Sequence, residues 1–168
     1  KAKDYLNKTT FSYSWSDFVK NEYRLKNYEK TREYAEKGLK ENAITVNLED
    51  VYEVIDDYIA TYPTRKEGIT KLLDLKLPSS GADYVAYLHC NEIVGNNAKE
   101  ACYRTLYEKY PNGQFSADAL YNVFLSKYLQ KKYNDAQRLG YLHMNKFTTA
   151  KSSPAVTYYM AKVSYKLK

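Results

Sequence analysis

The chain has 168 residues, of which 44% are hydrophobic and 27% are charged, a composition typical of a folded domain rather than a disordered segment. With only 6 Gly and 4 Pro, it has too few turn-forming residues for a β-sandwich or a barrel, which favours helices. We interpret the net charge of +6 as an excess spread along the chain. It favours anionic partners, but without a clustered basic stripe it does not predict nucleic acid as a partner.

Apolar residues at helical spacing predict four helices in the first half of the chain. The pattern is clearest after Asn47, which is suited to cap the start of a helix. Pro63 ends that helix, because the residue before a proline avoids the helical conformation. A turn is predicted at Lys26-Asn27. The four predicted helices cover residues 15–25, 28–39, 48–62 and 64–75.

Five more helices are predicted after the strongest loop signal of the chain, which is Leu77-Pro78-Ser79-Ser80-Gly81. Ser116 and Ser153 precede two of them as candidate caps, and Pro154 is suited to a first helical turn. These helices cover residues 82–93, 97–110, 117–128, 136–147 and 156–167. No strand is predicted, so we expect an all-α chain with about nine helices.

The second half of the chain repeats itself. Ser116 and Ser153 match at an interval of 37 residues, and the segments that begin at Asn96 and Asn134 match at an interval of 38. Such a period predicts helical hairpins that stack and bury their apolar faces against one another. Gly140 lies inside one of the helices, where a small residue indicates that a neighbouring helix crosses closely.

The predicted fold is therefore a stack of antiparallel helical hairpins that forms a right-handed, tetratricopeptide-like superhelix, or α-solenoid. It is expected to form a single domain over residues 1–168. Within it, residues 1–80 form irregular hairpins and residues 81–168 form repeats of about 37–38 residues.

The residue pattern predicts no catalytic residue, no cofactor and no metal ligand. Glycine-rich phosphate loops are missing, and His89 and His143 lie too far apart in the chain to suggest a metal site. Carboxylate pairs such as Asp56-Asp57 lie on the polar side of an amphipathic helix and are interpreted as solvated. Cys90 and Cys102 fall at core-like positions, where we expect buried free thiols first and a disulfide between adjacent helices second.

The informative surface is aromatic, since 20 residues are Tyr. Tyr103, Tyr107 and Tyr110 recur at positions i, i+4 and i+7 of one predicted helix and form one stripe. On the concave side of a solenoid this stripe could stack on sugars or hold an extended peptide, with Arg104 beside it for carboxylates. These four residues are the candidate ligand-binding residues. Packing of the rings in the core is the alternative.

Three segments carry a family resemblance: the Tyr110-Pro111 helix end, Phe115–Leu120, and Ser153–Lys162. Over residues 82–168 their order is similar to the superhelical, non-catalytic domain of bacterial soluble lytic transglycosylases. The resemblance implies a scaffold that positions a peptidoglycan strand or a protein partner on its concave face. The catalytic domain of that family carries a Glu-Ser pair. This chain contains no Glu-Ser dipeptide, so no enzyme activity is implied for it.

The resemblance also implies a piece of a longer protein of the bacterial cell envelope, periplasmic or otherwise extracytoplasmic, although a cytoplasmic location stays open. No apolar run reaches the about 18 residues of a membrane-spanning helix. A general tetratricopeptide-like adaptor for a protein or peptide is the alternative function. A nucleic-acid binder and an enzyme are further alternatives, for which the sequence shows neither a basic stripe nor a cluster of reactive residues.

Overall fold

The computed structural model describes residues 14–44 and 47–168, without the side chains of Ser79 and Ser80. In these residues it contains nine helices and no strand, which confirms the all-α prediction. The helices are α1 Trp15–Arg24, α2 Tyr28–Lys40, α3 Leu48–Ala60, α4 Arg65–Asp74, α5 Ser79–Glu92, α6 Asn96–Lys109, α7 Ser116–Leu129, α8 Tyr133–Lys146 and α9 Ser153–Lys166.

The chain divides into two compact units, Lys1–Ala82 and Asp83–Lys168. The division falls two residues beyond the predicted boundary between irregular and regular hairpins. The assignment of both halves to one domain stays a prediction.

The first unit is built on the amphipathic helix α3. This helix packs against α1, α2 and α4, and Asn47 caps its start by accepting a hydrogen bond from the Glu49 amide at 3.1 Å. Lys20 of α1 pairs with Asp50 at 3.2 Å and with Glu53 at 2.5 Å on α3. The core of the unit consists of apolar side chains that are almost fully buried: Val19, Ala35, Leu39, Ile44, Val51, Val54, Ile55, Tyr58, Ile59, Ile69 and Leu72.

Four helices end at a residue in the left-handed conformation, and none of these residues is Gly. Lys26, Asn42, Lys76 and Lys131 have φ between 51° and 60°. After α1 and α7 the next amide bonds back to a carbonyl five residues earlier, at 2.9 Å in both, as in the common C-terminal capping motif. At these four turns the chain does without the glycine that such turns usually use, whereas the turn before α6 has Gly95 at φ 98°.

The predicted loop over Leu77–Gly81 is wrong in its second half, because α5 already begins at Ser79. The carbonyl of Pro78 accepts bonds from the amides of Gly81 and Ala82, at 3.3 and 3.2 Å, which forms the first turn. Gly81 is used for close packing rather than for a loop. A Cβ atom placed there would lie 3.0 Å from the Ile55 side chain.

Helices of the second half recur at a fixed interval and have equal lengths. The starts of α5, α7 and α9 are Ser79, Ser116 and Ser153, and each of these helices has 14 residues. Helices α6 and α8 start at Asn96 and Tyr133, so the interval is 37 throughout and the predicted 38 is one residue too long.

The turns before α7 and α9 share one set of hydrogen bonds. The hydroxyl of Ser116 donates to the Tyr110 carbonyl, and the hydroxyl of Ser153 donates to the Phe147 carbonyl at 2.5 Å. Both acceptors follow the last residue of their helix with φ near −125°. The matching pairs found in the sequence are therefore equivalent positions of a repeated helix–turn–helix unit.

In the second unit α7 packs against α6 and α8, and α9 packs against both α8 and α7. Gly140 of α8 lies where a Cβ atom would overlap the Met160 side chain and approach the Phe124 ring to 3.1 Å. This confirms the close crossing predicted from the glycine. The core consists of buried side chains from all five helices: Cys90, Tyr103, Leu106, Ala119, Leu120, Val123, Phe124, Ala136, Leu139, Val156, Met160 and Val163.

Candidate functional site

A groove of about 210 Å³ lies between α6 and α7. Helix α6 contributes one wall of polar residues, and α7 contributes polar residues together with two leucines. The lining residues are Asn96, Lys99, Glu100, Tyr103, Asn122, Leu125, Ser126, Leu129 and Gln130. We call this site the α6–α7 groove.

The carboxylate of Glu100 is the centre of the polar network at the groove. One oxygen accepts hydrogen bonds from the Ser126 hydroxyl at 2.7 Å and from the Gln130 amide at 2.9 Å. The other oxygen pairs with Lys127 at 2.6 Å and with Arg104 at 3.3 Å. Four donors therefore occupy the lone pairs of this carboxylate, and three of them come from α7 or the residue that follows it.

Burial raises the pKa of Glu100, since only 10% of its side chain is exposed. Bonds and charges from Lys127, Ser126 and Arg104 together outweigh this effect and lower the pKa to about 2. Glu100 is thus ionised at neutral pH. Its role in the groove is that of a fixed anion that joins the two helices.

Other polar groups of the groove keep bonding capacity for a ligand. The amide nitrogen of Asn122 donates to the Asp118 carbonyl at 2.8 Å, while its oxygen makes no hydrogen bond within residues 14–44 and 47–168. Lys99 uses one donor on the Asn91 carbonyl, at 3.2 Å, and an ammonium group has three. The side chain of Asn96 also lines the groove. A ligand there would meet amide groups and one cation.

The four predicted ligand-binding residues are only partly brought together at this groove. Tyr103 lines it, but its ring is 3% exposed and its hydroxyl donates to the Asn91 side chain. Arg104 reaches the site through its bond to Glu100. Tyr107 and Tyr110 are half-buried against the core and do not line the groove. Lys146 lies 5.3 Å from the centre of the Tyr107 ring.

Sequence reasoning did not find Glu100 or Gln130. The i, i+4 spacing of Glu100 and Arg104 was a visible signal for one ion pair of the network. The approach of Lys127 and Gln130 has no such signal, because it depends on how α7 packs against α6.

The two cysteines form a disulfide that joins α5 to α6. Cys90 and Cys102 have Cα atoms 5.5 Å apart, and neither is free. The expectation of buried free thiols is therefore wrong, and the second alternative holds. The reason is geometric: the antiparallel packing of α5 and α6 brings two positions 12 residues apart face to face. Near this bond, Tyr103 of α6 reaches Asn91 of α5.

Two further buried titratable groups serve the fold. Burial raises the pKa of Asp83, although this carboxylate accepts hydrogen bonds from the amides of Tyr84 and Gln114 at 2.8 and 2.9 Å. His143 is fully buried, and its Nε2 atom lies 3.0 Å from the Ser152 hydroxyl. In the described part of the chain, no three or more His, Cys, Asp or Glu residues are arranged to hold a metal ion.

No described helix combines the length and the apolar character needed to cross a membrane. Comparison of the chain with protein-family models, with curated proteins and with solved structures found no match. The similarity to lytic transglycosylase superhelical domains thus rests on the sequence motifs alone and stays a prediction.

Proposed function

We propose that this chain is a non-catalytic binding module of the helical-repeat type, and that the α6–α7 groove takes up a segment of an extended ligand. The observation that carries the proposal is the state of Glu100. It is the one acid among the described lining residues, and its carboxylate is held by four donors.

This arrangement suits binding better than chemistry. A general acid must carry a proton near neutral pH, and hydrolysis of a glycoside normally requires a second carboxylate nearby. With a pKa of about 2, Glu100 has no proton to give, and its lone pairs are occupied. What the groove offers instead is a rigid wall of amide, ammonium and hydroxyl groups.

The groups on the groove wall match a ligand that carries amides. Side-chain amides of Asn96, Asn122 and Gln130 can pair with the amides of N-acetylated sugars or of a peptide backbone, and Lys99 suits a carboxylate. Peptidoglycan carries all of these groups. We therefore propose the superhelical domain of a peptidoglycan lytic transglycosylase, located in the cell envelope, as the first assignment.

Two features support this assignment. The helix–turn–helix unit with its 37-residue interval is the kind of repeat that stacks into a right-handed, tetratricopeptide-like superhelix, which we propose for residues 83–168. The disulfide between Cys90 and Cys102 is typical of proteins that mature outside the reducing cytoplasm.

A general peptide-binding adaptor is the second candidate, and the apolar part of the groove favours it. Leu125 and Leu129 line the wall contributed by α7, and Leu129 is exposed. An extended peptide could place an apolar side chain against them while its backbone pairs with the amides.

Retention on purified sacculi separates the two candidates. We expect the chain to be retained more strongly than a control protein of similar charge, and the variant Lys99→Gln/Asn122→Ala to lose most of this retention. Tyr141→Ser, which changes an exposed residue of α8 outside the groove, is the matched control. Retention no better than that of the control protein would remove the glycan assignment. If peptides from a displayed library then bound to the native chain but not to Lys99→Gln/Asn122→Ala, the chain would be assigned as a peptide-binding adaptor.

A further inference from the structure

Helix α9 turns an aromatic and basic face away from the core of its unit. Val156, Met160 and Val163 are buried, whereas Tyr158 is 58% exposed and Tyr165 is 76% exposed. At 100° per residue the two tyrosines, with Ala161 and Lys162 between them, lie opposite the buried stripe. The four residues Tyr158, Ala161, Lys162 and Tyr165 are called the α9 outer face.

The repeat shows what covers such a face. The positions 37 residues earlier on α7 are Tyr121, Phe124, Leu125 and Tyr128. There the three aromatic residues pack in the core between helices, and Leu125 lines the α6–α7 groove. Phe124 is fully buried, and the Tyr128 ring lies 6.0 Å from Tyr133 of α8 and 5.1 Å from Tyr159 of α9. On α9 the matching stripe lies open within the described residues of its unit.

Substitutions along this stripe change its chemistry. Ala161 stands where α7 has Phe124, so a methyl group replaces an aromatic ring, and Lys162 stands where α7 has Leu125. Lys162 lies 4.4 Å from the centre of the Tyr158 ring, and Lys166 lies 5.9 Å from that of Tyr165. The face therefore keeps room for an apolar side chain but has gained positive charge.

The net charge of the chain is concentrated at this end. Residues 136–168 contain six basic residues and no acidic residue, whereas residues 1–135 contain 20 of each sign. The interpretation that the positive excess is spread along the chain is therefore wrong. Two copies of α9 would repel each other through Lys162 and Lys166, so a second copy is a poor occupant for the face.

We propose that the α9 outer face docks an acidic amphipathic helix of a protein partner. The partner helix would insert an apolar side chain over Ala161, between the two tyrosine rings, and would place Asp or Glu residues beside Lys162 and Lys166. The partner helix would pack on α9 as neighbouring helices pack on the aromatic residues of α7. Attraction between its acidic residues and the lysines of α9 would make the face selective for acidic partners.

The test uses a fluorescein-labelled peptide that is helical, with leucines at i, i+3, i+4 and i+7 and glutamates at most other positions. A scrambled peptide of identical composition has no apolar stripe. Fluorescence anisotropy of both peptides with the whole chain, at low and high salt, measures binding. We expect the patterned peptide to bind and the scrambled peptide not to bind, and the affinity for the patterned peptide to be lower at high salt.

Variants of exposed residues assign the site without risk to the core. Tyr158→Ser/Tyr165→Ser and, separately, Lys162→Glu are expected to weaken the patterned peptide about tenfold or more. Tyr141→Ser, again an exposed tyrosine, should leave its affinity unchanged. The proposal is overturned if both peptides bind equally, if the tyrosine variant binds like the native chain, or if neither peptide binds. Preferential binding of oligo(dT) or of phosphatidylglycerol vesicles through this face would also overturn it and assign nucleic acid or lipid instead.

Discussion

The carboxylate of Glu100 and the ammonium group of Lys127 meet at 2.6 Å between α6 and α7, and no more than 14% of either side chain is exposed. The pair holds together the two helices whose residues line the α6–α7 groove. Stability of the second unit and the shape of its candidate site therefore depend on the same contact.

Replacement of Glu100 is expected to destabilise the fold at neutral pH and to remove a pH dependence. Since its pKa is lowered from 4.5 to about 2, the stabilisation is fully present above about pH 4.5 and is lost as the pH falls towards 2. It amounts to about 3 kcal/mol by the linkage relation. Urea unfolding of the native chain and of Glu100→Gln, at neutral pH and near pH 3, measures the difference.

Glu108→Gln is the matched control, because Glu108 is an exposed acid on the same helix. The difference in unfolding free energy between the native chain and Glu100→Gln should be smaller near pH 3 than at neutral pH. The control should be about as stable as the native chain at both pH values. If this difference in unfolding free energy were the same at both pH values, the ionised carboxylate of Glu100 would not be the source of the stabilisation.

Reduction of the Cys90–Cys102 disulfide should lower the free energy of unfolding by about 3 kcal/mol, because the bond closes a short loop whose freedom in the unfolded chain it restricts. Thermal unfolding with and without a thiol reductant measures the effect. The variant Cys90→Ala/Cys102→Ala should unfold at one temperature whether or not the reductant is present. Alkylation of the native chain in the absence of reductant would contradict the bond.

Gly140→Ala should destabilise the chain by about 1–3 kcal/mol, because the added methyl group would overlap the Met160 side chain and crowd Phe124. A double-mutant cycle with Met160→Ala isolates the clash. The two changes together should cost less than the sum of the two alone, since the smaller side chain makes room for the methyl group. Strict additivity in chemical denaturation would argue against this packing.

Histidine 143 should make the chain less stable in mild acid. Burial lowers the pKa of His143 below 6.5, opposed in part by the backbone of Ala117 and the charge of Asp118. The unfolded chain therefore takes up a proton that the folded chain resists, and stability falls as the pH drops below about 6.5. Its Nδ1 atom makes no hydrogen bond within the described residues.

His143→Leu combined with Ser152→Ala should remove this loss of stability, because it also removes the hydroxyl that bonds to the ring. Leucine is a suitable replacement, since Leu106 occupies the equivalent position of the preceding repeat and is buried. Unfolding free energies measured between about pH 7 and pH 5 test the effect, with His89→Gln as the control. If the loss of unfolding free energy towards pH 5 persisted in the double variant and disappeared in His89→Gln, it would come from His89 rather than from His143.

The order and approximate bounds of the helices could be read from the sequence, because helical periodicity depends on residues three and four positions apart. The repeat could be read as well, from Ser116 and Ser153, since both bind a carbonyl within their own turn. Gly140 was informative for a similar reason: a glycine inside a helix indicates a close neighbour whichever helix that is. The concentration of positive charge after residue 135 was also present in the sequence and was overlooked.

Only the tertiary structure decided which residues meet across helices. The pairing of Cys90 with Cys102, the four bonds to Glu100 and the burial of Tyr103 depend on how each helix is rotated about its axis and where it crosses its neighbour. These quantities are settled by packing of the whole core, so a local pattern does not contain them. The same limit explains why the tyrosine stripe on α6 contributes mostly to packing, while the groove is formed by polar residues on two helices that no spacing in the sequence connects.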